Sequence, residues 1–146
     1  MQKTDYLPCD MFVARLTEYI MDHHPHRTDD VSFIRQRADS AARAFEQASL
    51  AGESVAESMH QAETVLFSGL LFSPFVMVRD VCIAELGYNE DDDELDAFSL
   101  QMLDMLMPLV DSYSPGDDFQ GSTRYVDLYK EMTDSINQYL LRNGLQ

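Results

Sequence analysis

The densest group of chemically capable side chains lies in YNEDDDELDAF, residues 88–98, where six carboxylates fill seven positions: Glu90, Asp91, Asp92, Asp93, Glu94 and Asp96. Carboxylates this close can hold a hard cation, imitate a row of phosphates, or stabilise the start of a helix. An EF-hand loop needs oxygen donors at its first, third and fifth positions, glycine at the sixth and glutamate at the twelfth. Counting from Asn89 supplies Asn89, Asp91 and Asp93, but Glu94 and Leu100 then stand where the turn glycine and the bidentate ligand belong. The stretch lacks a specific calcium pattern, although a solvated acidic face can hold divalent cations weakly. The first expectation is the charged start of a helix, which accounts for one or two of the acids and not for six; the six together are the candidate acidic interaction surface of the chain.

Other groupings point less clearly to chemistry. Glu57 and His60 have the Glu-x-x-His spacing of di-iron bundles, but such a site needs a second copy and two further glutamates, and the chain has no second copy. His23, His24 and His26 could attract a transition metal, yet Pro25 interrupts them, so the expected role is a polar helix end whose imidazoles complement the helix dipole. Arg35, Arg37 and Arg43 form the one local basic group, and Asp39 is spaced to pair with Arg43 on a solvated helix face. There is no GxSxG elbow, no cysteine near a histidine in sequence and no glycine-rich phosphate loop. No catalytic, cofactor-binding or metal site is therefore assigned. Nine methionines suit adaptable core packing or, alternatively, a repackable groove for a partner.

The bulk composition excludes some partners. With 10 Lys and Arg against 26 Asp and Glu, the net charge of −16 opposes direct contact with a nucleic-acid backbone. The excess is uneven: residues 1–50 hold 8 acids and 6 bases, residues 51–146 hold 18 and 4. Cys9 and Cys82 are isolated, which argues against a disulfide or zinc framework and fits a reducing, cytoplasmic setting. The opening MQKTDYLPCDM has no apolar core of a signal peptide, and the run VLFSGLLFSPFVMV is too short to span a bilayer and is interrupted by Ser73 and Pro74.

The elements that must position these residues are helices, because apolar residues recur every three or four positions almost throughout. A first helix is expected over about residues 8–23, with Pro8 in its first turn and Cys9, Phe12, Leu16 and Tyr19 inward. A second runs to about Ala51 with the stripe Val31, Ile34, Ala38, Ala41, Phe45 and Ala48. Ser54 and Glu57 can form a capping box for a third, with Val55, Met59, Ala62, Leu66 and Gly69 inward. The link between these two is so short that they should form an antiparallel hairpin, its seam kept thin by alanine and glycine. Ser73 and Pro74 should start a fourth helix that Gly87 ends. A fifth carries Leu95, Phe98, Met102, Met105 and Leu109 inward, with Pro108 expected to kink it or end it near Met107. A sixth, about 123–142, should bury Tyr125, Tyr129, Met132, Ile136 and Tyr139. The expected fold is all-α, a compact bundle of about six helices with a central antiparallel hairpin, in a single domain over residues 1–146.

The run HHP, then SFIRQRADSAARAFEQASLAGESVAESMHQAETVLFSGLLFS, then DDF and YVDLYKEMTDSINQYLLRNGL, resembles an uncharacterised family of small acidic helical proteins from anaerobic bacteria, often encoded on conjugative mobile elements. The resemblance spans nearly the whole chain and rests on packing and capping residues. It implies a helical fold and a role in transfer or maintenance of such an element, and it brings no activity, cofactor or catalytic residue. The function expected first is a non-enzymatic module that binds another protein or itself. An acidic DNA mimic acting on a nucleic-acid-binding protein is the alternative. An enzyme with a metal-assisted site at His60 or among the acids of residues 90–96 is the third.

Overall fold

In the computed structural model the described residues are 3–144, with side chains described for residues 9–144. They form six α-helices and two short 3-10 turns, with no strand among them. Contacts divide the chain into two compact units, Met1–Leu70 and Leu71–Gln146, each with its own apolar core.

The first unit contains α1 (Lys3–His23), α2 (Val31–Leu50) and α3 (Val55–Leu66). Asp30 caps α2 by accepting from the Phe33 amide, and Ser54 caps α3 by accepting from the Glu57 amide. Glu57 does not complete the capping box, because its carboxylate instead accepts from Gln61 Nε2 at 3.2 Å. Arg37, in the first half of α2, donates to the carbonyls of Val65, Leu66 and Ser68 at the far end of α3, so the two helices run antiparallel as expected. Ala38, Ala41 and Ala62 are fully buried in the core that includes Phe12, Leu16, Ile20, Ile34 and Leu66. Small side chains let the hairpin backbones approach, while α1 supplies the bulk that fills the remaining space.

Three expectations for this unit need correction. α1 begins at Lys3, which places Pro8 inside the helix rather than in its opening turn; a proline there removes a single amide donor. Val31 and Val55 are 65% and 74% exposed, because each is the first residue of its helix and projects beyond the packed layer. Gly69 lies after α3 with a φ of +80° and is exposed, so it shapes the exit from the helix and does not thin the seam.

The second unit contains α4 (Pro74–Leu86), α5 (Leu95–Tyr113), a 3-10 turn at Phe119–Gly121 and α6 (Thr123–Arg142). Ser73 accepts from the Val76 amide at the start of α4, and Gly87 ends that helix in the left-handed conformation, φ +83°. All three helices pack on one another around Val78, Val81, Leu95, Met102, Leu103, Leu106, Leu128, Met132 and Ile136. Pro108 neither ends α5 nor stops it near Met107; the helix continues to Tyr113. Pro108 and Asp104 are both exposed, so the carbonyl that loses its helical partner faces water, and buried Leu106 and Val110 hold the backbone on either side.

The inward faces are also rotated from those the spacing suggested. On α5 the fully packed residues are Leu95, Ser99, Met102, Leu103, Leu106 and Val110, with Phe98, Met105 and Leu109 only half-buried. On α6 Leu128 joins Met132 and Ile136 in the core, and Tyr125, Tyr129 and Tyr139 flank it half-buried. A tyrosine at the edge of a core keeps its ring packed and its hydroxyl hydrogen-bonded, which full burial there would deny it.

Candidate functional site

The acidic segment sits between α4 and α5, where the Tyr88 and Phe98 rings stack at 5.4 Å and draw its two ends together. Glu90, Asp91, Asp92, Asp93 and Glu94 precede α5 and are exposed; Asp96 lies in its first turn, also exposed. The Asp92 carboxylate accepts from the Glu94 amide at 3.2 Å. Arg79, on α4, fastens the segment: Nε donates to Asp96 at 2.8 Å and an Nη donates to the Glu90 carbonyl at 2.9 Å. The cluster therefore divides, with Asp92 and Asp96 helping to build the helix start and Glu90, Asp91, Asp93 and Glu94 presenting carboxylates to solvent. Among the described residues no group of three or more His, Cys, Asp or Glu side chains is arranged to hold a metal ion.

A second feature of this unit was not visible as a site in the sequence. An open groove of about 480 Å³ runs beside α4 and α6, lined by Glu85, Tyr125, Val126, Tyr129, Lys130, Thr133 and Asp134. The Tyr129 hydroxyl donates to the Glu85 carboxylate at 3.0 Å, which fixes that carboxylate at the wall. Burial, and then the hydrogen bond to Glu85, push the Tyr129 phenol up to about 12, so it keeps its proton at neutral pH. Burial and the nearby charge of Asp80 raise Tyr125 in the same direction. The Tyr125 and Tyr129 ring centroids lie 6.4 Å apart, and Val126 is 52% exposed beside them. The groove thus joins aromatic and aliphatic surface to two carboxylates and one ammonium. Tyr125, Tyr129 and Thr133 at successive i, i+4 positions, with Lys130 and Asp134 alongside, were the available signal. The spacing predicts Tyr125 and Tyr129 in the core, because tyrosine at helical spacing is usually packed.

The remaining candidates separate in space or serve structure. His60 and Glu57 are both exposed. His23 stacks on Tyr19 at 4.2 Å, whereas His24 is 4% exposed and its Nε2 lies 2.8 Å from the Leu70 carbonyl, which also accepts from the Tyr19 hydroxyl at 3.1 Å. His24 is therefore a buried structural donor, not part of a solvated helix end. Burial lowers its pKa, so at neutral pH it is uncharged and can donate from Nε2. The Cys9 thiol donates to Asp39, whose carboxylate pushes its pKa up to about 11; burial raises Cys82. Neither sulfur is an activated nucleophile. Asp39 thus faces Cys9, and Arg37 is spent on the α3 carbonyls. Met77, Met102 and Met132 are buried, Met59, Met105 and Met107 pack against the cores half-buried, and only Met11 and Met21 are exposed among the described methionines, so most of them serve packing.

These features define a class: an all-helical acidic chain with a tyrosine-walled groove. The chain belongs to the family described as a domain of unknown function, DUF1896, which matches residues 8–145. It is similar to the crystal structure of protein PG0816 from Porphyromonas gingivalis, with a TM-score of 0.91 and 26% identity over 99% of this chain and 99% of that one. No curated protein matches it. No helix among the described residues is long and apolar enough to cross a membrane.

Proposed function

We propose that the protein is a non-enzymatic interaction module that binds another protein in the cytoplasm. The carrying observation is the groove beside α4 and α6, where exposed Val126 and two half-buried tyrosines adjoin Asp134 and the Glu85 carboxylate, which the Tyr129 hydroxyl holds in place. Aromatic rings with a polar handle are favoured at protein interfaces, because they offer large contact area and a directed hydrogen bond. The net charge of −16 disfavours self-association and contact with nucleic acid, and supports a different, less acidic protein as partner. The family resemblance supports the finer reading, that this partner serves transfer or maintenance of a mobile element.

A second reading, an acidic decoy for a DNA-binding protein, is favoured by one observation: Glu90, Asp91, Asp93 and Glu94 are exposed and carry no ion pair among the described residues. Capture of lysate proteins on the purified chain, at low and moderate salt with and without competing duplex DNA, tests both. A defined protein retained at moderate salt and indifferent to DNA is the expected result. Retention of DNA-binding proteins only at low salt, with displacement by DNA, would favour the decoy. Retention of no protein under either condition would remove both readings.

A further inference from the structure

We propose that the groove beside α4 and α6 is the seat for the partner, and that it takes an arginine- or lysine-bearing segment whose cation lies against Tyr125 and Tyr129 between Glu85 and Asp134. The inference rests on the interaction-module reading and adds the chemistry of the partner.

The phenol rings present electron-rich faces, which attract cations and stack well with a planar guanidinium. Glu85 is held in place by the Tyr129 hydroxyl, so its remaining lone pairs are oriented before any partner arrives. Asp134 lines the same groove and has no ion pair among the described residues. Both phenols stay protonated at neutral pH, so the walls add no further charge and the Tyr129 hydroxyl remains bonded to Glu85.

The surroundings select the sign of the occupant. Residues 71–146 carry 15 acids and 4 bases, a net charge of −11. A second copy of this chain, or a nucleic acid, would bring like charge to that surface, whereas a basic segment would be drawn to it. Lys130 is the opposing charge in the lining, and it has no ion pair among the described residues. It should therefore weaken the docking of a cation, a consequence opposite to the one for an anion site.

The test uses a blocked alanine-based peptide carrying three arginines, titrated into the isotope-labelled full chain at about 0.15 M salt, where the screening length is about 8 Å. Saturable amide shifts are expected at residue 85 and over residues 125–134. Glu85→Gln should weaken binding about tenfold, as loss of a charge-assisted hydrogen bond does. Tyr129→Phe, which keeps the ring and frees the carboxylate, should weaken it less, and Lys130→Gln should tighten it. Asp93→Asn, an exposed acid outside the groove lining, should change it less than about twofold, because salt screens a solvent-exposed charge that does not touch the peptide. The assignment is overturned if Asp93→Asn matches Glu85→Gln, if Lys130→Gln weakens binding, or if the shifts do not saturate or centre elsewhere. Lys130 is exposed, so its variant remains a valid arm even if changes at Glu85 disturb folding. A lysate partner retained while the peptide fails would overturn the groove and leave the interaction reading standing; failure of both would remove the two together.

Discussion

The two units reach a closed core by different means. In the first, α2 and α3 meet through Ala38, Ala41 and Ala62, and the carbonyls of Val65, Leu66, Ser68 and Leu70, at and after the end of α3, are satisfied by Arg37 from α2, Tyr19 from α1 and His24 just after α1. In the second, three helices enclose large side chains, including Met77, Met102, Leu103, Leu106, Leu128 and Ile136, and the tyrosines at the rim turn their hydroxyls to carboxylates or amides. Close backbone approach leaves helix-end carbonyls near the core, so polar side chains must serve them. A core built from bulk leaves its polar groups at the margin, where they form surface features such as the groove. That contrast accounts for why the unit with larger core residues also carries the proposed docking surface.

Large-to-small change should hurt the second unit most. Leu103→Ala, at a site 1% exposed, is expected to cost about 2–5 kcal/mol because the surrounding side chains close only part of the cavity. The shift of the urea midpoint measures it, and a loss under about 1 kcal/mol would mean that the core is loosely packed.

The first unit should show the opposite sensitivity. Ala41→Leu, at a fully buried position in the thin seam, is expected to cost about 1–3 kcal/mol or more by forcing α2 and α3 apart. Ala41→Gly would test whether the seam needs the methyl group at all; a gain in stability from Ala41→Leu would show that the helices do not approach closely there.

The smallest effect is a pH dependence confined to the first unit. His24 faces Tyr19 and the Leu70 carbonyl, with His23, His26 and Arg27 as its charged or titratable neighbours, and burial lowers its pKa below the ordinary 6.5. As pH falls through about 6.5 the unfolded chain takes up this proton first, so the folded state loses stability until His24 protonates in it as well. The penalty is absent above that window, grows within it and levels off below the folded pKa. One proton limits the slope to about 1.4 kcal/mol per pH unit. Denaturation series between about pH 7 and pH 5 should show the decline, and His24→Gln should flatten it. His26, also lowered by burial, would keep a residual slope.

Much of the fold was legible because its signals are local. Ser54 and Ser73 cap where serine before a helical stripe should, Gly87 adopts the left-handed conformation at the end of α4, and the short link after α2 brings α3 back antiparallel. Of the two outcomes expected at Pro108, a kink or a stop, the stop misled, because a local rule gives proline's cost but does not say which side of the helix faces water. His24 misled in the same way: its dipeptide with Pro25 marks a helix end, and nothing nearby in sequence announces that Leu70, 46 residues away, will bury it.

The candidate site divides along the same line. The six acids of residues 90–96 could be found by reading, and so could their place at a helix start, since both depend on neighbours in the chain. That Arg79 would take Asp96 and leave the others to solvent depended on how α4 lies against α5. The groove was hidden altogether, because Glu85 and Tyr129 are 44 residues apart and meet only when α4 packs beside α6. Periodicity and capping alone determined that this chain is helical and where most helices start and stop, because hydrogen bonding within a helix joins residues four apart. Tertiary packing decided which faces are buried, which charges are neutralised and where the groove proposed for docking forms, because those outcomes depend on surfaces that distant segments bring together.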